Sequence, residues 1–158
     1  QRDAVVLYPS EEIHAVLRAA NPPAAVRLLP VGSGEKEAAP PGASAVLTSS
    51  GTMSMHCALA GIPGAIAYRA NPLTYLIGRM LVRVEYLGIA NLLLKEPMYP
   101  EYIQGAATPA ALAQELHVAL ADPARRAKTA EQAVKLRSLL GAPASGTAAD
   151  WLRRCLRG

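Results

Sequence analysis

Cysteine is scarce in these 158 residues: only Cys57 and Cys155 occur. They make no CxxC pair and no Cys/His ligand spacing, so the sequence offers neither a zinc knuckle nor a disulfide frame, and a reduced, cytoplasmic setting fits best. Long apolar runs are also missing. Nothing approaches the ~18 uncharged residues that a membrane span needs, and no charged-then-apolar leader pattern opens the chain, so an integral membrane protein is not expected. The familiar catalytic signatures are absent too. "GSGEK" (Gly32 to Lys36) lacks the P-loop spacing and does not complete GxGxxG, and it reads as a loop. There is no GxSxG elbow and no HExxH. His14, His56 and His117 lie far apart in sequence and read as surface or packing residues, so no metal is expected. His56 and Cys57 are adjacent, but neighbouring helical residues point about 100° apart, which argues against a thiolate–imidazole pair. Charged residues make up only 18%, with a formal charge of +4. That balance suits anionic partners. No interleaving of aromatic and basic residues supports nucleic acid, and the late basic clusters read as solvated helix faces.

What is present is the material of one globular domain, Ala-rich and 51% hydrophobic, with 12 glycines and 13 prolines placed mostly between apolar runs. "DAVVLYP" reads as a strand, and Ser10 caps a helix with Ile13, Val16, Leu17 and Ala20 on one face. "AAVRLLPVG" gives a second strand, followed by a polar loop from Gly32 to Ala43. Next come a strand over 45–48, a turn, a helix over about 53–60 closed by Gly61, and a strand over 62–68. Apolar strands alternating with helices indicate a parallel sheet covered on both faces. Leu73, Leu76, Ile77, Met80, Leu81 and Val84 form a helical stripe with Arg79 and Arg83 on the other side. Thr108 then caps a helix with Pro109 at its first position. Asp122 caps the next, which ends at Gly141, and a short helix is expected over 145–157.

The turn "SSGT" stands where the first strand of that central unit meets its helix. Ligands of open parallel sheets bind at the carboxyl ends of strands, where a helix N-terminus offers unpaired N–H groups and about half a positive charge. Gly51 would let a phosphate approach the backbone, with Ser50 and Thr52 adding hydroxyls. The same residues also suit a plain helix cap. Further on, in "ANLLLKEPMYPEYIQ", Asn91 reads as a turn residue. Pro100 reads as the first position of a helix that carries Glu101 in its first turn.

Taken in order, "SSGT", "CALAGIP", "AYRANPLTYLIGRMLVRVEYLGIANLL", "PEYIQ" and "ADPARRA" resemble the carboxy-terminal domain of the lipid-A-disaccharide synthase family, inverting glycosyltransferases of the GT-B fold. Residues 43–158 carry the match and residues 1–42 fit it weakly. The resemblance implies a single UDP-sugar-binding, Rossmann-like domain over residues 1–158, with a parallel sheet, flanking helices and a helical C-terminal region. It implies transfer of diacylglucosamine from UDP onto diacylglucosamine 1-phosphate in lipid A biosynthesis, without metal or cofactor. It carries Ser50, Gly51 and Thr52 to the diphosphate, and Asn91, Glu101 and Gln104 to donor-site polar roles. Tyr68 and Arg69 match a Tyr-Arg pair at a strand end. His56 stands where the family has Glu, an acid suited to ribose hydroxyls, and Ala90 stands where it has Pro. The family's amino-terminal domain, with the acceptor pocket and base, is missing from these residues. A partner domain in cis or trans is therefore expected, and no catalytic base is named. The resemblance also implies a homodimer, and Arg79 and Arg83 are candidates for contact with the inner face of the inner membrane. A second expectation is a catalytically inactive nucleotide-binding or interaction module that pairs with a separate acceptor-binding chain.

Overall fold

The computed structural model describes residues 3–31, 42–70, 85–141, 153, 155 and 156. The chain divides into two compact units, Gln1–Ala38 and Ala39–Gly158. The first is a βαβ unit: β1 (Ala4–Tyr8), α1 (Glu11–Ala19) and β2 (Val26–Pro30), with β1 and β2 paired in parallel. Ser10 accepts the N–H of Ile13 as the cap, and Glu11 and Glu12 in the first turn complement the helix dipole. Tyr8 stacks on His14, tying the strand end to the helix.

The second unit is built on a three-stranded parallel sheet in the order β3 (Val46–Thr48), β4 (Gly64–Tyr68), β5 (Glu101–Ile103). Helix α2 (Thr52–Leu59) joins β3 to β4, and α3 (Ile89–Leu94) precedes β5. A short 3₁₀ turn (Gln104–Ala106), α4 (Pro109–Ala121) and α5 (Pro123–Gly141) follow. Alternation along β4 sorts the two faces of the sheet. Ile66 enters the main core with Cys57, Ala58, Met98, Tyr99, Ala133 and Leu136, where α2, α3 and α5 pack together. Ala67 faces α4, which packs on β4 and β3. The pairing of β3 with β4 depends on Gly64, because a Cβ there would stand 2.1 Å from the Val46 carbonyl oxygen. Arg125 of α5 locks this arrangement. Its guanidinium donates to the carbonyls of Met98 (3.0 Å) and Gly64 (3.1 Å) and pairs with Glu115 of α4 at 3.5 Å.

The alternating α/β reading and the helices α1, α2, α4 and α5 match the expectations, within a residue or two at their ends. One expectation is corrected: Pro100 and Glu101 do not open a helix. The Pro100 carbonyl accepts Ile66 N–H at 2.9 Å, and Glu101–Ile103 pairs with Ile66–Tyr68 as strand β5. Proline suits a first helical turn, but it suits a sheet edge equally, and the ladder partner decides. The predicted helix over Leu73–Val84, with Arg79 and Arg83, lies outside the described residues. So does most of the predicted last helix, of which residues 153, 155 and 156 are helical. Among the described residues, no helix is long and apolar enough to cross a membrane.

Candidate functional site

The carboxyl ends of β3, β4 and β5 lie on one rim of the second unit: Ser50, Gly51 and Thr52 follow β3, Tyr68 and Arg69 stand at the end of β4, and Gln104 follows β5, whereas Glu101 opens β5, Asn91 lies in α3 and His56 in α2. Gly51 is the N-cap of α2, at φ 148° and ψ −163°, a conformation that side chains rarely adopt. An added Cβ at Gly51 would meet nothing within 4 Å among the described residues, so the backbone angle, not the space beside it, favours glycine. Neither Ser50 nor Thr52 caps the helix. The Ser50 hydroxyl turns away and donates to the Leu87 carbonyl at 2.8 Å, and Thr52 is exposed as the first helical residue. Ser54, three positions on, folds back instead: its Oγ donates to the Gly51 carbonyl at 2.6 Å and accepts Gly51 N–H at 3.3 Å. The N–H groups of the first turn of α2 therefore have no side-chain cap.

Glu101 supports the loop that Ser50 touches. Its Oε2 accepts Leu87 N–H at 2.8 Å, and its Oε1 accepts Gly88 N–H at 2.9 Å and the Asn91 amide at 2.8 Å. Gly88 is the N-cap of α3, so the carboxylate sits where the helix dipole favours negative charge. Asn91 is fully buried in α3 rather than placed in a turn, and all its bonding capacity is used. Nδ2 donates to Glu101 and to the Tyr99 carbonyl (2.7 Å), and Oδ1 accepts Met98 N–H (2.9 Å) and Tyr99 N–H (3.0 Å). Tyr99, in the segment that joins α3 to β5, donates its hydroxyl to the Ile62 carbonyl at 2.5 Å, and burial pushes its phenol far above the ordinary tyrosine range.

Gln104 carries a second network. It takes φ 52°, a left-handed conformation uncommon for a side-chain-bearing residue. Its amide brackets Ala70: Oε1 accepts Ala70 N–H at 2.9 Å and Nε2 donates to the Ala70 carbonyl at 3.1 Å. Arg69 completes the bracket from the strand end, donating to the carbonyls of Gln104 (3.3 Å) and Ala107 (2.9 Å). Tyr68 beside it is 38% exposed and lines an open, mostly apolar groove of about 640 Å³, together with Leu47, Leu112 and Leu116.

His56 stands one turn into α2. Its Nδ1 is buried and lacks a hydrogen-bond partner among the described residues. Its neighbour Cys57 is fully buried, and burial raises its thiol above the usual value, which suits a packing residue and not a nucleophile.

The structure thus joins Ser50, Asn91 and Glu101 in one hydrogen-bonded chain and Arg69 with Gln104 in another, with Gly51 and Thr52 at the uncapped helix end. Sequence reasoning missed Ser54, the backbone of Leu87 and Gly88, Tyr99 and Arg125. Only Ser54 carried a local signal, a hydroxyl at the third helical position after a glycine N-cap.

The sequence profile of the lipid-A-disaccharide synthetase family matches residues 9–152. The chain is 41% identical to the lipid-A-disaccharide synthase of Syntrophus aciditrophicus over 101 residues, which cover 64% of this chain and 26% of that protein. It is 40% identical to the Geobacter metallireducens enzyme of the same name over 97 residues, 61% of this chain and 25% of that protein. With the Rhodospirillum centenum lipid-A-disaccharide synthase it shares 33% identity over 120 residues, 76% of this chain and 29% of that protein. The chain spans little more than a quarter of the length of these relatives.

Proposed function

The chain belongs to the lipid-A-disaccharide synthetase family, and on that premise we propose that it is the donor-binding part of a glycosyltransferase of lipid A biosynthesis. In this reading residues 1–158 act as one UDP-sugar-binding domain. The donor is UDP-linked diacylglucosamine and the acceptor diacylglucosamine 1-phosphate. One observation carries it: the uncapped N-terminus of α2 opens at the carboxyl end of a parallel strand, with clear space beside Gly51 among the described residues. The N–H groups of that first turn, the helix dipole and the Thr52 hydroxyl would hold the diphosphate. They would also stabilise the charge that develops on it as the glycosidic bond to the sugar breaks. In this reading Asn91, Glu101 and Gln104 serve the donor site through the backbone they hold, at Met98, Gly88 and Ala70. The acceptor pocket and the base belong to an amino-terminal domain in cis or trans, and a homodimer and a cytoplasmic location are part of the same proposal.

Thr52→Glu tests the seat without threatening the fold. An acidic residue in the first turn suits the helix, but its carboxylate occupies the ground that the diphosphate needs. By calorimetry, UDP is expected to bind the unaltered chain and to bind the variant at least about tenfold more weakly, with uridine barely affected. Equal UDP affinity in the two proteins would overturn the reading. No binding at millimolar UDP favours the second reading, a catalytically inactive module that pairs with an acceptor-binding chain. His56, in place of the acid the family carries, supports that alternative.

Both proposed substrates are acylated, so we also propose peripheral contact with the inner face of the inner membrane through Arg79 and Arg83. Flotation with anionic liposomes is expected to retain the chain and to lose the Arg79→Glu, Arg83→Glu variant. Equal retention of both sinks the membrane contact.

A further inference from the structure

The Ser50 hydroxyl has one proton to donate, and it goes to the Leu87 carbonyl at 2.8 Å, 37 positions away in sequence. That acceptor is held firmly. Gly88 N–H, which belongs to the same peptide group as the Leu87 carbonyl, donates to Glu101 Oε1 at 2.9 Å, and Leu87 N–H donates to Oε2 at 2.8 Å. Glu101 in turn accepts the amide of Asn91, a residue with no bonding capacity left over. The backbone also lies close against β4, since an added Cβ at Gly88 would stand 2.5 Å from Ile66 Cδ1. The far end of the Ser50 bond is therefore a fixed peptide.

The near end has far less to restrain it. Ser50 stands between Thr48, which ends β3, and Gly51, the N-cap of α2, whose φ of 148° is open to a residue without a side chain. Ser54 Oγ and Met55 N–H bond to Gly51 from within α2. Those bonds set the shape of the turn, but they tie it to nothing outside its own helix. The Ser50 hydroxyl ties the turn to a segment on another part of the fold.

We propose that Ser50 is a positioning residue of the donor site, and that it acts through Leu87 and Glu101 without touching the diphosphate. This assignment rests on the donor-binding reading above. A hydroxyl proton already donated to a carbonyl cannot be given to a phosphate oxygen as well, so the two adjacent hydroxyls divide the work: Thr52 faces the ligand and Ser50 holds the turn. The N–H groups at the start of α2 bind an anion only as well as they are aimed, and a glycine turn left loose would have to be ordered at the expense of affinity. Ser50 removes that freedom before the ligand arrives. It is also the link by which Asn91 and Glu101, ten positions apart and bonded to one another, bear on the turn that follows β3.

Two measurements on the full chain test this. Without ligand, Ser50→Ala is expected to speed native-state hydrogen exchange of the Leu87 and Gly88 amides about fivefold, the loss of one ordinary hydrogen bond, and Ser50→Thr, which keeps the hydroxyl, to restore them. Unchanged exchange in Ser50→Ala overturns the proposal. With UDP, calorimetry is expected to show about fivefold weaker binding by Ser50→Ala and recovery in Ser50→Thr. Adding Ser50→Ala to Glu101→Gln is then expected to weaken UDP no further than Glu101→Gln alone, because the tether has lost its fixed end. Losses that multiply would overturn the proposal, since Ser50 would then act on the diphosphate by itself. If Glu101→Gln does not fold, the exchange rates and the Ser50→Thr recovery decide. A failure of the donor-binding reading is told apart by the unaltered chain: no binding of UDP there removes that reading and this assignment together, whereas binding with unchanged exchange removes this assignment alone.

Discussion

Asn91 shows how far a single residue can be read. Its type and its ten-residue separation from Glu101 were visible in the sequence, and both proved to belong to one cluster. Its role was not visible. The groups that consume its amide are the backbones of Met98 and Tyr99 and the Glu101 carboxylate, seven to ten positions away, and they meet it only because the segment between α3 and β5 folds back onto α3. An asparagine read as a turn residue is thus a buried clamp. Asn91→Ala leaves two N–H groups and one carbonyl without partners in a dry environment, and is expected to cost on the order of 3 kcal/mol in urea unfolding. Asn91→Asp is expected to be no better. It restores the acceptor for Met98 and Tyr99, but it turns an oxygen toward the Tyr99 carbonyl and a second carboxylate toward Glu101. An aspartate variant within about 0.5 kcal/mol of the unaltered chain would contradict this account of the cluster. Gly51 was legible for a simpler reason: its φ of 148° is a local requirement that glycine meets without any distant partner.

At the scale of elements, legibility follows the range of the signal. Helices α1, α4 and α5 carry their own start signals in Ser10, Thr108 and Asp122, whose side chains accept N–H groups two or three residues ahead. Those signals need no tertiary partner, and the elements came out as read. Strand β5 is the counterexample. "PEYIQ" has the grammar of a helix start, with proline first and an acid next, but three ladder positions on β4 and the Glu101 bonds to Leu87 and Gly88 outweigh it. The 3₁₀ turn after β5 follows from the same competition. Gln104 leaves the strand in a left-handed conformation, and its amide is held to Ala70 across the sheet end. Neither the strand nor the bracket could be read locally, because both depend on β4 lying alongside.

At the scale of the whole molecule, the alternation of apolar strands and helices was enough to read a parallel α/β architecture, but not the division into a two-stranded and a three-stranded sheet. Alternation counts strands without saying which edges meet, and edge pairing is set by contacts distant in sequence. The division has a consequence for local stability. In the first unit α1 buries no residue fully, and Val5, Ile13 and Val16 are exposed. In the second, Ala65 and Ile66 are sealed from water and Arg125 ties α5 to the backbone of β4. A segment of fewer than about 40 residues on two strands has little burial of its own to set against its conformational entropy. Native-state hydrogen exchange is therefore expected to open β1 and β2 before β4, with amides of Val5 to Leu7 exchanging roughly a hundredfold faster than those of Ala65 to Ala67. If β1 and β4 exchanged at one common rate, the burial difference would not govern local opening, and the weaker protection argued for the first unit would have to be given up.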